Sequence, residues 1–212
     1  MASALTTNVT RFFREPHHFA HLKGFALPPL IAAAREGGRV RMWSAGCSSG
    51  EEPYSIALTL LSLMPDAAEH DIRILATDID QDVLEAGRRG QYSDTAAAPI
   101  EPELRNRWLV RENDPKGGRR WTVSEPLRAL VAFRELNLMG HWPMRGPFQV
   151  IFCRNTVIYF EPELQTRVWA RMAPLLSPQG LLYVGHSERV SGTDALKMVA
   201  ATTYARAAKE TG

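Results

Sequence analysis

The chain has 212 residues, of which 45% are hydrophobic and 23% charged, the balance of a soluble globular protein long enough to bury one sizeable core. Its 25 basic and 23 acidic residues leave a formal charge of +2, too small a surplus to mark a nucleic-acid or membrane surface, and clusters such as Arg119-Arg120 and Arg105/Arg107/Arg111 read as solvated faces. No apolar run approaches the ~20 residues of a membrane-spanning helix, no signal-peptide pattern opens the chain, and Cys47 and Cys153 have neither disulfide-framework nor metal-ligand spacing, so a cytoplasmic protein without a metal is expected.

The first forty residues read as irregular or helical, punctuated by Pro16, Pro28 and Pro29. Arg39–Ala45 (RVRMWSA) is an apolar run ending in small residues, the pattern of a buried strand. Gly46-Cys47-Ser48-Ser49-Gly50 is a tight turn, and Glu51–Met64 is helical, with Pro53 tolerated because first-turn N–H groups lack helical partners. Asp71–Thr77 is a second strand and Asp80–Arg89 a second helix. Strand, turn, helix, strand, helix is the rhythm of an open α/β domain with a parallel sheet.

Residues 91–135 break that rhythm. A helix-like stretch at Glu101–Val110 is followed by NDPKGG (113–118), a hairpin-turn signal, with WTV and ALVAFREL as flanking strands. This is the pattern of a small antiparallel subdomain, placed at about 109–135, inserted into the α/β unit. Alternation then resumes with Phe148–Cys153 as strand, Pro162–Leu176 as helix and Gly180–Gly185 as strand, and Lys197–Ala205 reads as an edge strand.

The turn between the first strand and helix carries chemistry. Glycines and serines there let the backbone approach a ligand closely. A pyrophosphate site favours G-x-G-x-x-G, whereas here Gly46 and Gly50 are followed by Glu51 and Glu52, which would repel phosphate and suit a cationic ligand such as the ammonium or sulfonium of S-adenosylmethionine. Asp78 ends the second strand, at the sheet edge where an acid accepts from ribose hydroxyls; Asp80 is placed to cap the next helix. Turn and acid together point to a nucleoside-bearing ligand without choosing which.

The blocks TTNVTRFFRE (6–15), RMWSAGCSSGEEPYSIA (41–57), ILATDID (74–80), FRELNLM (133–139), IFCRNTVIYF (151–160) and GLLYVGHSE (180–188) resemble the CheR family of chemotaxis-receptor glutamate O-methyltransferases, in order and over nearly the whole chain. The resemblance implies a Rossmann-like S-adenosylmethionine-dependent methyltransferase sheet with helices on both faces. Residues 1–38 would form an N-terminal segment contributing to the cofactor site, and 39–212 the methyltransferase domain. It further implies that Asn8, Thr10 and Arg14 approach the cofactor, Glu51 holds its methionine or ribose part (Glu52 remaining open for that role), and Asp78 takes the ribose hydroxyls. Asn137 and Leu138 would flank the adenine, Cys153 and Arg154 would complete the pocket, and Tyr159 would stand near the transferring methyl.

Bland readings compete at several of these positions. Asn8 and Thr10 could cap a helix starting near Phe12; Phe12, Phe13 and Phe19 read as core anchors; Tyr159 could be a packed core tyrosine; His17, His18 and His186 read as structural or surface residues. Arg14 and Tyr159 are the candidate catalytic pair, because a glutamate nucleophile already ionised at neutral pH needs alignment rather than a base. The implied product is S-adenosylhomocysteine, and the implied partner is the cytoplasmic helical region of chemoreceptors, engaged by a monomer. Members of the family usually carry a small basic helical N-terminal domain; since this sequence opens almost at the TTNVTRFFRE block, that domain is expected to be missing from it, either because the chain is a trimmed piece or because it is a naturally short relative. Two other readings stay open: a methyltransferase with a different acceptor, and a non-catalytic module that binds the cofactor and a partner protein.

Overall fold

The computed structural model describes residues 10–113 and 117–207. In chain order the elements are α1 (Pro16–His21), α2 (Leu27–Arg35), β1 (Val40–Ala45), α3 (Glu51–Leu61), β2 (Ile72–Asp78), α4 (Gln81–Arg89), β3 (Gln91–Ser93), α5 (Asp94–Ala97) and α6 (Pro102–Trp108). They continue with β4 (Leu109–Asn113), β5 (Arg119–Val123), α7 (Glu125–Ala129), β6 (Val131–Glu135), β7 (Phe148–Cys153), α8 (Pro162–Met172), β8 (Leu176–Val184), β9 (Leu196–Ala200) and β10 (Thr203–Arg206).

The main sheet runs in the order β6-β2-β1-β7-β8-β10-β9. Strands β6, β2, β1, β7 and β8 are parallel, and β10 enters antiparallel between β8 and β9. Both faces are covered, which is why the strands read as nearly continuous apolar runs. Alternation along each strand divides the core in two. Val40, Met42, Val150 and Phe152 pack with α1, α2, α3 and α4 on one side. Trp43, Ala45, Ile151 and Cys153 pack with Val168, Trp169 and Met172 of α8 on the other.

Several sequence expectations change in register or partner. The first forty residues form almost continuous helix from Pro16 to Arg35, and Pro28 and Pro29 sit in the first turn of α2, directly after a π-turn at Leu22–Ala26. Proline is accepted there because the missing N–H has no obligatory partner. The small antiparallel sheet exists, but its order is β3-β5-β4. Val131–Glu135, expected in the subdomain, instead pairs parallel with β2 as the edge of the main sheet. Parallel pairing is a long-range event that local pattern does not encode. The tip of the expected 113–118 turn, residues 114–116, lies outside the described residues. The stretch expected as one edge strand at 197–205 is a hairpin, β9 and β10, bent at Thr202, whose φ is 48°.

The small sheet is not an isolated body. Tyr92, Trp108, Leu109, Trp121 and Val123 join the same core cluster as α3 and α4, and the Tyr54 hydroxyl donates to the Gly87 carbonyl at 2.9 Å. Every residue of α3 is buried, packed among α1, α7 and the main-sheet strands β1, β2 and β6.

Candidate active site

In the main sheet, chain order moves outward from β1 in one direction through β2 and β6, and in the other through β7 and β8. The crevice beyond the carboxyl ends of the strands at such a reversal is where open α/β sheets bind ligands. Here it holds a cavity of about 510 Å³ lined by Thr10, Arg14, Glu52, Asp78, Asn137, Arg154 and Tyr159, among others. That is an ordinary size for a cofactor pocket.

The floor is the glycine turn. Gly46 has φ of 79°, and its amide and that of Cys47 both donate to the Thr77 carbonyl, at 2.8 and 2.9 Å. A Cβ at Gly46 would come within 2.2 Å of Thr156 Oγ1, so the close approach of two ligand-facing loops requires glycine there. Ser48 donates its N–H to Asp78 Oδ2 at 2.8 Å, and the Asp80 N–H reaches Oδ1 at 3.2 Å. These bonds hold the Asp78 carboxylate at the lip of β2 while leaving acceptor capacity for a ligand hydroxyl. Asp80 caps α4 as expected, accepting from the N–H groups of Asp82 and Val83.

Of the two acidic residues after the turn, Glu52 reaches the cavity wall, and Glu51, the sequence's first candidate, is not among the lining residues. Glu51 is turned into the protein, its Oε2 accepting from Ser49 Oγ at 2.8 Å, and burial pushes its carboxyl up. Consecutive helix positions point ~100° apart, so the phase of α3 separates the two. Glu52 Oε1 accepts from Ser44 Oγ and Oε2 from Arg154 Nε, each at 2.7 Å.

Arg154 is the hub of the inner wall. Buried, it donates from Nη1 to the Arg14 carbonyl and to His18 Nδ1 at 3.3 Å, and its guanidinium lies over the rings of Phe19 and Phe152. It thereby ties the N-terminal segment to the sheet edge, and Thr10 and Arg14 reach the cavity as a consequence. Asn8 lies outside the described residues. Among the described residues Thr10 caps no helix, because the first of them begins at Pro16; Phe12 and Phe19 are buried core anchors, as expected.

Cys153 does not line the cavity. It points into the α8-side core, where burial drives its thiol well above its ordinary value, followed by the charges of Glu188 and Glu52. Strand alternation accounts for this: Cys153 shares a face with Ile151, and the cavity begins only at Arg154. Tyr159 is 62% exposed at the cavity rim, in a single helical turn, which rules out the packed-core reading.

Asn137 and Leu138 line the opposite wall, the Asn137 side chain accepting from the Met139 N–H at 2.8 Å. Ile79, Leu136 and Met139 join them and make the wall apolar, suited to a planar base. These three, with Ser48, Asn155, Thr156 and Phe160, were missed as site residues. The available signal was adjacency to motif residues in the same loops.

None of the three tempting histidines lines this cavity. His18 is held down to about 3 by burial first and then by the Arg154 charge, so it is neutral, and its Nε2 meets Thr202 Oγ1 at 2.7 Å. His186 is exposed and contacts Glu15 at 2.9 Å. Glu15, His17 and His18 bring potential metal-ligand atoms within 4.8 Å of one another. Both His18 nitrogens already face protein partners, Arg154 and Thr202.

Comparison with known proteins accords with this geometry. Residues 8–205 match the family described as CheR methyltransferase, SAM binding domain. A probable chemotaxis protein methyltransferase of Rhizobium etli is 54% identical over 192 residues, 91% of this chain and 71% of that protein. The chemotaxis protein methyltransferase of Escherichia coli is 42% identical over 192 residues, 89% of this chain and 63% of that protein. Among solved structures, the DszA carbon methyltransferase shows a distant likeness, with a TM-score of 0.49 at 19% identity over 80% of this chain and 35% of that one. With a matching family profile along nearly its whole described length and an acid-edged cavity at the sheet's reversal, the chain belongs to the CheR methyltransferase family and comprises that family's S-adenosylmethionine-binding domain.

Proposed function

We propose that the protein transfers a methyl group from S-adenosylmethionine to glutamate side chains in the cytoplasmic helical region of chemoreceptors, forming methyl esters. The observation that carries this reading is the 510 Å³ cavity whose one wall bears Asp78 and Glu52, whose other wall is apolar, and whose mouth bears Arg14 and Tyr159. The family match and the names of the relatives support the chemotaxis setting.

The residues fit the cofactor. Asp78 offers a fixed carboxylate for ribose hydroxyls; Ile79, Leu136, Leu138 and Met139 offer apolar surface for adenine; and the Gly46–Gly50 turn, with Glu52 behind it, suits the methionine end. Bound there, the cofactor would supply a methyl group carried on a positively charged sulfur, its methyl–sulfur bond exchanged for the new ester O–CH₃ bond with S-adenosylhomocysteine as the leaving product. The substrate carboxylate, with an ordinary pKa of about 4.3, is ionised at neutral pH, so no residue has to accept a proton from it. The work left to the protein is alignment and exclusion of water. Tyr159, exposed at the rim, orients the carboxylate by donating one hydrogen bond. Arg14 steers it with its planar fork of donors.

Calorimetry is expected to show binding of S-adenosylhomocysteine. With methyl-labelled donor and a receptor helical fragment, base-labile label is expected on glutamate. No affinity for that nucleoside, with NAD or a phosphate ester bound instead, would overturn the cofactor assignment. Label deposited on another acceptor, or stable to base, would overturn the choice of glutamate.

A further inference from the structure

Glu188 lies outside the cavity lining and is 4% exposed, yet it is the most heavily bonded carboxylate near the site. Its Oε1 accepts from the backbone N–H groups of Thr156 and Val157, each at 2.9 Å. Its Oε2 accepts from those of Asn155 and Gly185, each at 2.7 Å. The Glu188 N–H closes the same turn by donating to the Gly185 carbonyl at 2.9 Å. Four charge-assisted bonds to one side chain exhaust its usual acceptor sites.

The bonded amides belong to the loop that leaves β7 and forms one side of the cavity through Asn155, Thr156, Tyr159 and Phe160. Asn155 stands at φ 56°, in the left-handed region that asparagine adopts more readily than other non-glycine residues, and there it turns the chain out of β7. No repeating ladder secures this loop, since Cys153, paired with Val184, is the last residue of β7 in register. A Cβ at Gly185 would meet Asn155 Nδ2 at 2.7 Å and Glu188 Oε2 at 2.8 Å, so the glycine of the G-H-S-E segment makes room for the anchor.

We propose that Glu188 is a positioning residue: its carboxylate gathers the amides of 155–157 and 185 and so sets the height at which Asn155 and Tyr159 meet cofactor and substrate. The inference rests on the proposed function. It goes beyond it by assigning the last residue of the G-H-S-E segment a task without ligand contact.

Glu188→Gln keeps shape but turns an amide NH₂ toward one pair of N–H donors. It is expected to fold, to bind S-adenosylhomocysteine about tenfold more weakly, and to lose turnover at saturating cofactor, each by the equivalent of one hydrogen bond. Combined with Asn155→Ala, its effect on that affinity should be less than additive, because Glu188 acts through the loop bearing Asn155. A folded Glu188→Gln protein with wild-type affinity and turnover, or fully additive effects, would overturn the proposal. Should the variant fail to fold, hydrogen exchange in the wild type decides: the amides of 155–157 and 185 are expected to be strongly protected, and exchange at unprotected rates would sink the anchor. If the wild type itself binds no S-adenosylhomocysteine, the failure belongs to the proposed function, and the exchange result still judges the anchor.

Discussion

Removing Glu52 tests whether the inner wall of the cavity is a dry ion pair. The side chains of Arg154 and Glu52 are 2% and 10% exposed, with Nε and Oε2 2.7 Å apart. Truncation in Glu52→Ala leaves a buried guanidinium without its nearest counter-charge, a change that costs ~3–5 kcal/mol when no other acid is near. The Glu15 carboxylate, 3.7 Å from Arg154 Nη1, remains and compensates part of it. Against that, the buried Ser44 hydroxyl loses its acceptor, worth ~1–3 kcal/mol if left unsatisfied. The sum is a destabilisation of about 4 kcal/mol, a large share of the ~5–15 kcal/mol by which domains are stable. Urea unfolding followed by circular dichroism would read it as a lower midpoint at unchanged slope. A cycle with Arg154→Ala should return a coupling above ~1.5 kcal/mol, since the double variant no longer buries a lone charge. A loss below ~1 kcal/mol for Glu52→Ala, or additive effects in the cycle, would refute the buried-pair reasoning.

Gly46→Ala should destabilise by at least ~2 kcal/mol, combining left-handed strain with the clash against Thr156, and should also weaken S-adenosylhomocysteine binding by calorimetry. Gly117→Ala, left-handed but with nothing within 4 Å, should show the strain alone. Tyr159→Phe is expected to lower kcat about tenfold, the worth of one hydrogen bond, with little change in S-adenosylhomocysteine affinity. Intact kcat in both Tyr159→Phe and Arg14→Ala, with only the cofactor Kd altered, would remove the catalytic pair. His18, depressed to about 3 by burial and the Arg154 charge from its ordinary 6.5, binds fewer protons folded than unfolded between those values. Its contribution to stability is therefore full above pH 6.5 and falls as the pH drops, by ~2 kcal/mol at pH 5. The stability difference between wild type and His18→Gln, measured by urea unfolding, should shrink by that amount from pH 7 to pH 5, and a constant difference would show that His18 does not titrate this way.

What was legible in the sequence is local. β1 and β7 are buried on both faces, so they announce themselves as apolar runs, and the glycine turn and Asp80 cap are short-range chemistry that any context preserves. Asp78 follows from the same logic, because the end of a parallel strand is where such a fold presents its ligands. Phase and pairing were decided only in three dimensions. Glu51 and Glu52 differ by one step of a helix, and Cys153 and Arg154 by one step of a strand; which member faces the cavity depends on how α3 and β7 seat against the sheet. Val131–Glu135 carries no mark of its partner, since pairing with β2 joins segments more than fifty residues apart. Glu188 looks like an ordinary charged residue until β8 sets it beside the loop after β7, where four backbone donors need an acceptor. Sequence records which groups are available; burial, which removes water as the alternative partner, determines which of them must meet.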